Sequence, residues 1–316
     1  MKVMLFFPPN WTPAMPHLAL PSLTAYLRQR GVEVIQRDLN AEVFDLILTR
    51  DYLQRSLVRL RGSRSKLAGG RTGRGLRPDL REWAMTEGPR LVDQIEAAKQ
   101  LIRSAAYYDG PRSLPAFETV IQSLQLASLP YYPATLHLQG YDSAHRPDSS
   151  AGILAAVRDR EHNMFIELFE RHVLPDVLRE QPDVVGISIP SVNQVIAGLT
   201  LAHLVKQSGC PAHVTIGGPM VSIWRELLPR TPWLFDLFDS AVVFDGEEPL
   251  YQLGQAVVAR ASLADVPNLI YREDGRVRTN HRKPQERLQN LPTPDFDGLP
   301  LDRYLAPDLV LPLATT

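Results

Sequence analysis

Apolar and polar positions along this chain fall into short blocks rather than one long rhythm. Lys2–Phe7, KVMLFF, is a continuous apolar run stopped by Pro8 and Pro9, which predicts a strand buried on both faces. From about Pro21 to Arg30 the period changes: Leu20, Leu23, Thr24 and Leu27 share one helical face. Pro21 suits a first helical turn and Gly31 the position just past the last. VEVIQRD follows as a second strand, so residues 1–40 predict a β-α-β unit with a loop after the first strand.

The same alternation resumes at Pro182. PDVVGISIP, AHVTIGGP and SAVVFDGEE read as strands. NQVIAGLTLAHLVKQSG, VSIWRELL and EPLYQLGQAVVAR read as the helices between and after them. Together these predict an α/β fold with a doubly wound, five-stranded parallel sheet, Rossmann-like in arrangement. NLIYREDGRVRTN adds two short strands around Asp274-Gly275, a type I′ hairpin signal. Residues 1–280 then form one α/β domain interrupted by an insertion at 41–181. Helical patterns occupy about Pro89–Ala105, Ala116–Ala127 and His162–Arg179 of it. Its early part, Arg50–Arg81, holds nine Arg and one Lys against two Asp, with five Gly, and reads as a flexible basic loop. Residues 281–316 are proline-rich linker chemistry leading to a strand-like run, Leu309–Ala314.

Composition narrows the function. The formal net charge of −1 supplies no field for nucleic acid or a membrane surface. No run approaches the ~20 apolar residues of a membrane span, and the first residues make no secretory signal, so a cytoplasmic location is expected. Cys210 is the one cysteine, which excludes a disulfide framework and any multi-thiolate metal site within the chain. It lies beside Pro211 with no evident partner and reads as a structural thiol. The histidines show no H-x-x-x-H spacing, and no G-x-S-x-G elbow occurs.

Ligands of open parallel sheets sit beyond the carboxyl ends of the strands. The loop after the first strand, PPNWTPAMPHLALPS, lacks glycine and carries adjacent prolines without N–H donors. This argues against a dinucleotide fold, and no phosphate loop is present. Asp38 is then a polar strand end rather than a ribose-binding acid. TIGGP lets a ligand approach bare backbone, although a tight turn explains it equally. In DGEEP, Gly246 turns the chain and Glu247 and Glu248 favour the next helix N-terminus. Ser188 and Ser191 place small hydroxyls at the third strand end.

In order and spacing, several segments resemble the cobalamin-binding N-terminal domain of B12-dependent radical S-adenosylmethionine enzymes. They are FFPPN, LALPSLTAYLRQRGVEV, PDVVGISIPSVNQ, VTIGGP, DGEEPL and VPNLIYREDGRV. The resemblance covers residues 1–40 and 160–316; the insertion between is its variable part. It implies cobalamin as cofactor, with Ser188, Ser191, Gly217, Gly218, Pro219, Gly246 and Glu247 holding the nucleotide tail and Val192 also contacting the cofactor. Pro9, Asn10 and Trp11 would lie near the lower face of the corrin ring. D-x-H-x-x-G, which gives cobalt a histidine in many B12 enzymes, is absent, and His17 reads as a bystander. PTPDFDGLPLDRYLAPDLVLPLATT resembles the family's linker and the first strand of its catalytic barrel. The chain would therefore stop short of the C-x-x-x-C-x-x-C motif. The four-iron four-sulfur cluster, S-adenosylmethionine and the methyl transfer, to an unactivated carbon or phosphorus, would belong to a longer parent. A cofactor-free α/β scaffold and a self-sufficient α/β transferase are the competing readings.

Overall fold

The computed structural model describes residues 1–62, 76–146, 149–284 and 287–307. The run 309–314 and the middle of the basic stretch lie outside the described residues. In chain order the elements are β1 (Lys2–Phe7), α1 (Ala19–Gln29), β2 (Glu33–Asp38), α2 (Leu39–Ile47), α3 (Arg50–Gly62), α4 (Pro78–Ile102) and α5 (Gly110–Ser128). Next come β3 (Thr135–His137), β4 (Gly140–Asp142), α6 (Ser150–Arg158), α7 (Met164–His172), α8 (Leu174–Glu180), β5 (Val184–Ser188) and α9 (Val195–Gln207). The last are β6 (His213–Gly217), α10 (Pro219–Ile223), β7 (Ser240–Val242), α11 (Glu247–Ala259), β8 (Leu269–Glu273) and β9 (Arg276–Thr279). Two compact units share them. The first comprises Met1–Pro8, His17–Leu39 and Phe165–Leu299; the second Pro9–Pro16, Asn40–Met164 and the residues from Pro300.

The first unit is built on one sheet in the order β2-β1-β5-β6-β7-β8-β9. β2, β1, β5, β6 and β7 run parallel, and β8 and β9 are antiparallel to their neighbours. The strand order reverses at β1, which has β2 on one side and β5 on the other. β1 and β5 are buried along nearly their whole length, as continuous apolar runs require. Leu5 faces Gly186 in register, and a Cβ on Gly186 would come within 2.9 Å of the Leu5 side chain. The sheet has seven strands and not the expected five, because the hairpin continues it: Val242 of β7 pairs with Leu269 of β8. At the hairpin turn Asp274 and Gly275 take φ of 49° and 74°, the left-handed pair that a type I′ turn needs.

The second unit is mainly helical. Arg50–Gly62, expected to be loop, is helix α3 because Leu53, Leu57 and Leu60 recur on one face and are buried there. Its arginines take the outer side, so basic composition hid a regular apolar period. α4 begins at Pro78 and runs through Pro89, where the sequence suggested a start. Beside that proline, Gly88 lets α3 come close: a Cβ there would meet the Leu57 side chain at 2.5 Å. The short antiparallel pair β3–β4 carries no sequence signal strong enough to have been expected. Among the described residues no helix is long and apolar enough to cross a membrane.

A charge cluster organises this unit. Lys99, 6% exposed, sets its ammonium 3.1 Å from Asp45 Oδ1, and Arg103 donates to the same oxygen at 2.9 Å. Arg103 also donates to the carbonyls of Arg303 (2.6 Å) and Tyr304 (2.9 Å). Tyr304 is 1% exposed and packs against Ala41. Residues 300–307 are thus seated on helices, where an extended linker was expected. Burial alone would raise the Asp45 carboxyl, but Arg103 and Lys99 outweigh it and hold the group below its ordinary range. A lowered folded-state pKa stabilises above the unfolded value of about 4, and this contribution is lost as pH falls through the folded value. Asp45→Asn leaves the buried Lys99 charge only the longer contact with Glu96 (3.6 Å) and should cost about 2–3 kcal/mol at pH 7. Urea unfolding at pH 7 and again near the acid limit of the fold checks this; the difference between variant and parent should shrink at the lower pH.

Candidate functional site

A cavity of about 310 Å³ opens at the carboxyl edge of the parallel strands, within the first unit. Leu5 of β1, Gly186–Ser188 of β5, Thr215–Gly217 of β6 and Val242 of β7 supply its floor. The first turns of α1 and α11 supply its walls through Leu20, Leu23, Glu247 and Leu250. It therefore spans β1 and β5, the point where strand order reverses and where open α/β sheets take ligands. Its lining is mostly aliphatic, with Ser22, Ser188, Thr215, Asp245 and Glu247 as polar groups.

Backbone contact fixes the floor. Ile189 N–H donates to the Gly217 carbonyl at 2.7 Å, and Met220 N–H to the Ile189 carbonyl at 3.2 Å. Gly218 between them has φ +102°, and a Cβ on it would lie 2.9 Å from Ile189 O and 3.0 Å from its C and N. That spot is open to glycine alone. Gly217 is different: its φ is ordinary, and a Cβ would meet Val242 O at a tolerable 3.4 Å.

The end of β7 is held as firmly, by residues other than glycine. Phe244 takes φ 65° and Asn268 φ 57°. Such values are uncommon for an aromatic and need support from the surroundings. Ser222 Oγ accepts the Phe244 N–H at 2.7 Å and donates to Gly218 O at 3.2 Å, joining the ends of β6 and β7. Asn268 accepts the Val243 N–H at its carbonyl (2.9 Å) and the Lys283 N–H at its side chain (2.9 Å). Outside the cavity lining, α1 and α11 are clasped by Tyr26, whose hydroxyl donates to Glu248, with Arg30 stacked 3.5 Å above the Tyr26 ring. Burial opposes ionisation of Glu248, but the Tyr26 and Gln252 hydrogen bonds prevail and lower its pKa.

Of the residues singled out in the sequence, Ser188, Gly217, Gly218, Pro219, Gly246 and Glu247 line this one cavity. Ser191 and Val192 do not. The Ser191 hydroxyl accepts the Asn193 N–H in the turn before α9, and Val192 is 55% exposed. Pro9, Asn10 and Trp11 belong to the second unit, where Asn40 Oδ1 accepts the N–H groups of Asn10 (3.1 Å) and Trp11 (3.0 Å). Asn10 is buried there with φ 83°. His17 stacks on Phe7 at 4.9 Å and accepts the Ala19 N–H at Nδ1, while burial lowers its pKa. Sequence reasoning missed Leu23, Val242, Phe244 and Leu250, whose apolar character reads as ordinary core. The available signal was position: Val242 and Phe244 stand at the end of β7, and Leu23 and Leu250 near the starts of α1 and α11. Among the described residues no group of three His, Cys, Asp or Glu forms a metal site.

No family profile matches the chain. It is 27% identical over 167 residues to an uncharacterised methyltransferase of Pyrococcus horikoshii; the match spans 51% of this chain and 36% of that protein's length. Among solved structures it is similar to the radical S-adenosylmethionine methyltransferase TsrM from Kitasatospora setae, a structure with cobalamin and a [4Fe-4S] cluster bound. That likeness has 12% identity and a TM-score of 0.39, over 92% of this chain and 30% of that one. The cobalamin-dependent S-adenosylmethionine radical enzyme OxsB, with aqua-cobalamin and S-adenosylmethionine bound, matches at 20% identity and a TM-score of 0.33, over 47% of this chain and 21% of that one. With TM-scores this low, the fold rests on the chain's own topology.

The two glycines make opposite predictions. Gly218→Ala should destabilise the chain by about 2–3 kcal/mol, from the disfavoured φ and the clash with Ile189. Gly217→Ala should stay within about 1 kcal/mol of the parent. Urea unfolding of both variants, followed by far-ultraviolet circular dichroism, checks the contrast.

Proposed function

We propose that this chain is the cobalamin-binding part of a B12-dependent radical S-adenosylmethionine enzyme, a methyltransferase acting on an unactivated carbon or phosphorus. The observation that carries the reading is the cavity: apolar, glycine-floored, and set at the switch point of a mostly parallel sheet. Such a site suits a flat aromatic base better than a polyphosphate, for which the loop after β1 offers neither glycines nor a run of amide donors. In this reading the nucleotide tail of cobalamin enters the cavity. Gly217 and Gly218 leave the backbone bare for it, Ser188 offers a hydroxyl, and Leu23 and Leu250 cover its faces.

The corrin would then rest on the edge of the sheet. Leu18, Val192 and Ile223 follow β1, β5 and β6 there and remain 58%, 55% and 66% exposed, an apolar rim suited to a large ring. Bound cobalamin would supply a methyl group carried on cobalt. The chain's own contribution is to bind and orient the cofactor without a D-x-H-x-x-G histidine. The His17 Nδ1 is occupied by the Ala19 N–H. The iron–sulfur cluster and S-adenosylmethionine are assigned, in this proposal, to a following domain of a longer enzyme. The methyltransferase name of the curated relative agrees with the transfer chemistry.

Titration of the purified chain with hydroxocobalamin, followed by desalting, tests the reading. About one equivalent of absorbance should stay with the protein, and the spectrum should lack the band of cobalt-bound benzimidazole. Leu23→Trp, which fills the cavity from a half-buried position, should weaken retention at least about tenfold. Complete loss of colour from the parent chain sinks the proposal.

A further inference from the structure

Phe244, at one corner of the cavity, meets two arginines that do not themselves line it and that the tail-binding residues do not explain. Arg282 sets its guanidinium 4.2 Å from the centre of the Phe244 ring, and Arg225 lies 5.9 Å from the same centre. Arg225 is partly engaged, by Glu226 at 3.5 Å and the Ser222 carbonyl at 3.2 Å. Among the described residues Arg282 has no carboxylate partner and meets the Phe244 ring. Two like charges gathered on one ring repel each other, and the aromatic face offsets this only in part. The arrangement is nonetheless a built one. The left-handed backbone of Phe244 is pinned by Ser222, and Asn268 ties Val243 to Lys283, the neighbour of Arg282.

A guanidinium stacked on an aromatic face keeps its N–H fork free in the plane of the group, the geometry that takes two oxygens of an oxyanion. Asp245 and Glu247 also line the cavity, so the site is not positive as a whole. An anion is favoured where a ligand reaches past Phe244 to the arginines on its ring, and disfavoured beside Asp245 and Glu247. We propose that Arg282, backed by Arg225, receives an anionic group of the cavity's ligand. In the cobalamin reading, on which the ligand's identity rests, this is the phosphodiester of the nucleotide tail. Arg282 would then select complete cobalamins over corrinoids that lack the tail.

The test compares hydroxocobalamin with dicyanocobinamide, which has the ring but neither phosphodiester nor base, on the full chain and on Arg282→Ala and Arg282→Lys. Arg282 is exposed, so folding should be unaffected, as circular dichroism will show. The alanine variant should lose about five- to tenfold in affinity for hydroxocobalamin and stay within about twofold for cobinamide, with lysine intermediate. Unchanged affinity for both, or equal loss for both, overturns the assignment. If the parent chain binds neither corrinoid, the cobalamin reading falls, and a second pair of probes still decides the anion site. Anilinonaphthalene sulfonate should lose affinity on Arg282→Ala by the same factor, while uncharged phenylnaphthylamine should not; equal behaviour of the two dyes overturns the proposal.

Discussion

The first unit depends on one backbone crossing. Where β5 and β6 end, the chain at Ile189 lies so close to Gly218 that no side chain fits between them. Two backbone hydrogen bonds close the crossing, from Ile189 to Gly217 and from Met220 to Ile189. The ends of two adjacent parallel strands are thereby locked at a common level. Ser222, one turn later, extends the lock to the end of β7. The floor of the cavity is therefore backbone held by backbone, and its shape owes little to side-chain rotamers. Such a floor is pre-formed, so a ligand entering it would meet little of the ordering cost that flexible sites impose.

The two units solve the problem of buried polarity differently. In the first, polar groups at the strand ends are satisfied locally, by Ser222, Asn268 and the Tyr26–Glu248 pair. In the second, a formal charge is taken inside: Lys99 is nearly fully buried and is compensated by Asp45, which also engages Arg103, and at longer range by Glu96. Through Arg103 the same cluster holds the carbonyls of Arg303 and Tyr304, although these lie some 200 residues further along the chain. The loop Pro9–Pro16 and a trailing segment are thus brought together within this unit, since the Leu305 N–H also donates to the Pro13 carbonyl at 2.7 Å.

Much of the sheet was legible because strands buried on both faces cannot hide: each is a continuous apolar run bounded by proline, glycine or a polar turn. The glycine pair after β6 and the DGEEP turn after β7 led to a shared cavity for the same reason, since both mark backbone without side chains. What escaped was geometry with no compositional mark. Phe244 and Asn268 adopt left-handed backbone without being glycine, and only tertiary hydrogen bonds make that affordable. α3 escaped because its arginines outnumber its leucines, so charge content masked a period that packing uses. Pro89 suggested a helix start, yet α4 continues through it, packed against α3 at Gly88. The resemblance implied a place for Asn10 near the corrin ring, and the residue's burial beside Asn40 follows from a side-chain partner thirty residues away that no local pattern marks.

The hairpin that extends the sheet has a bearing on how this chain behaves in company. Without it, β7 would end the sheet as a bare, fully buried strand of three residues, with its unpaired amides open to any passing strand. β8 covers that edge, and β9 becomes the new border, carrying Arg276 and Arg278 on an exposed strand. A second copy approaching in register would bring like charges face to face, and the tight turn at Asp274-Gly275 keeps the border short. The outer hairpin thus acts as a selvedge: the woven part of the sheet finishes in a short, charged border that disfavours edge-to-edge pairing.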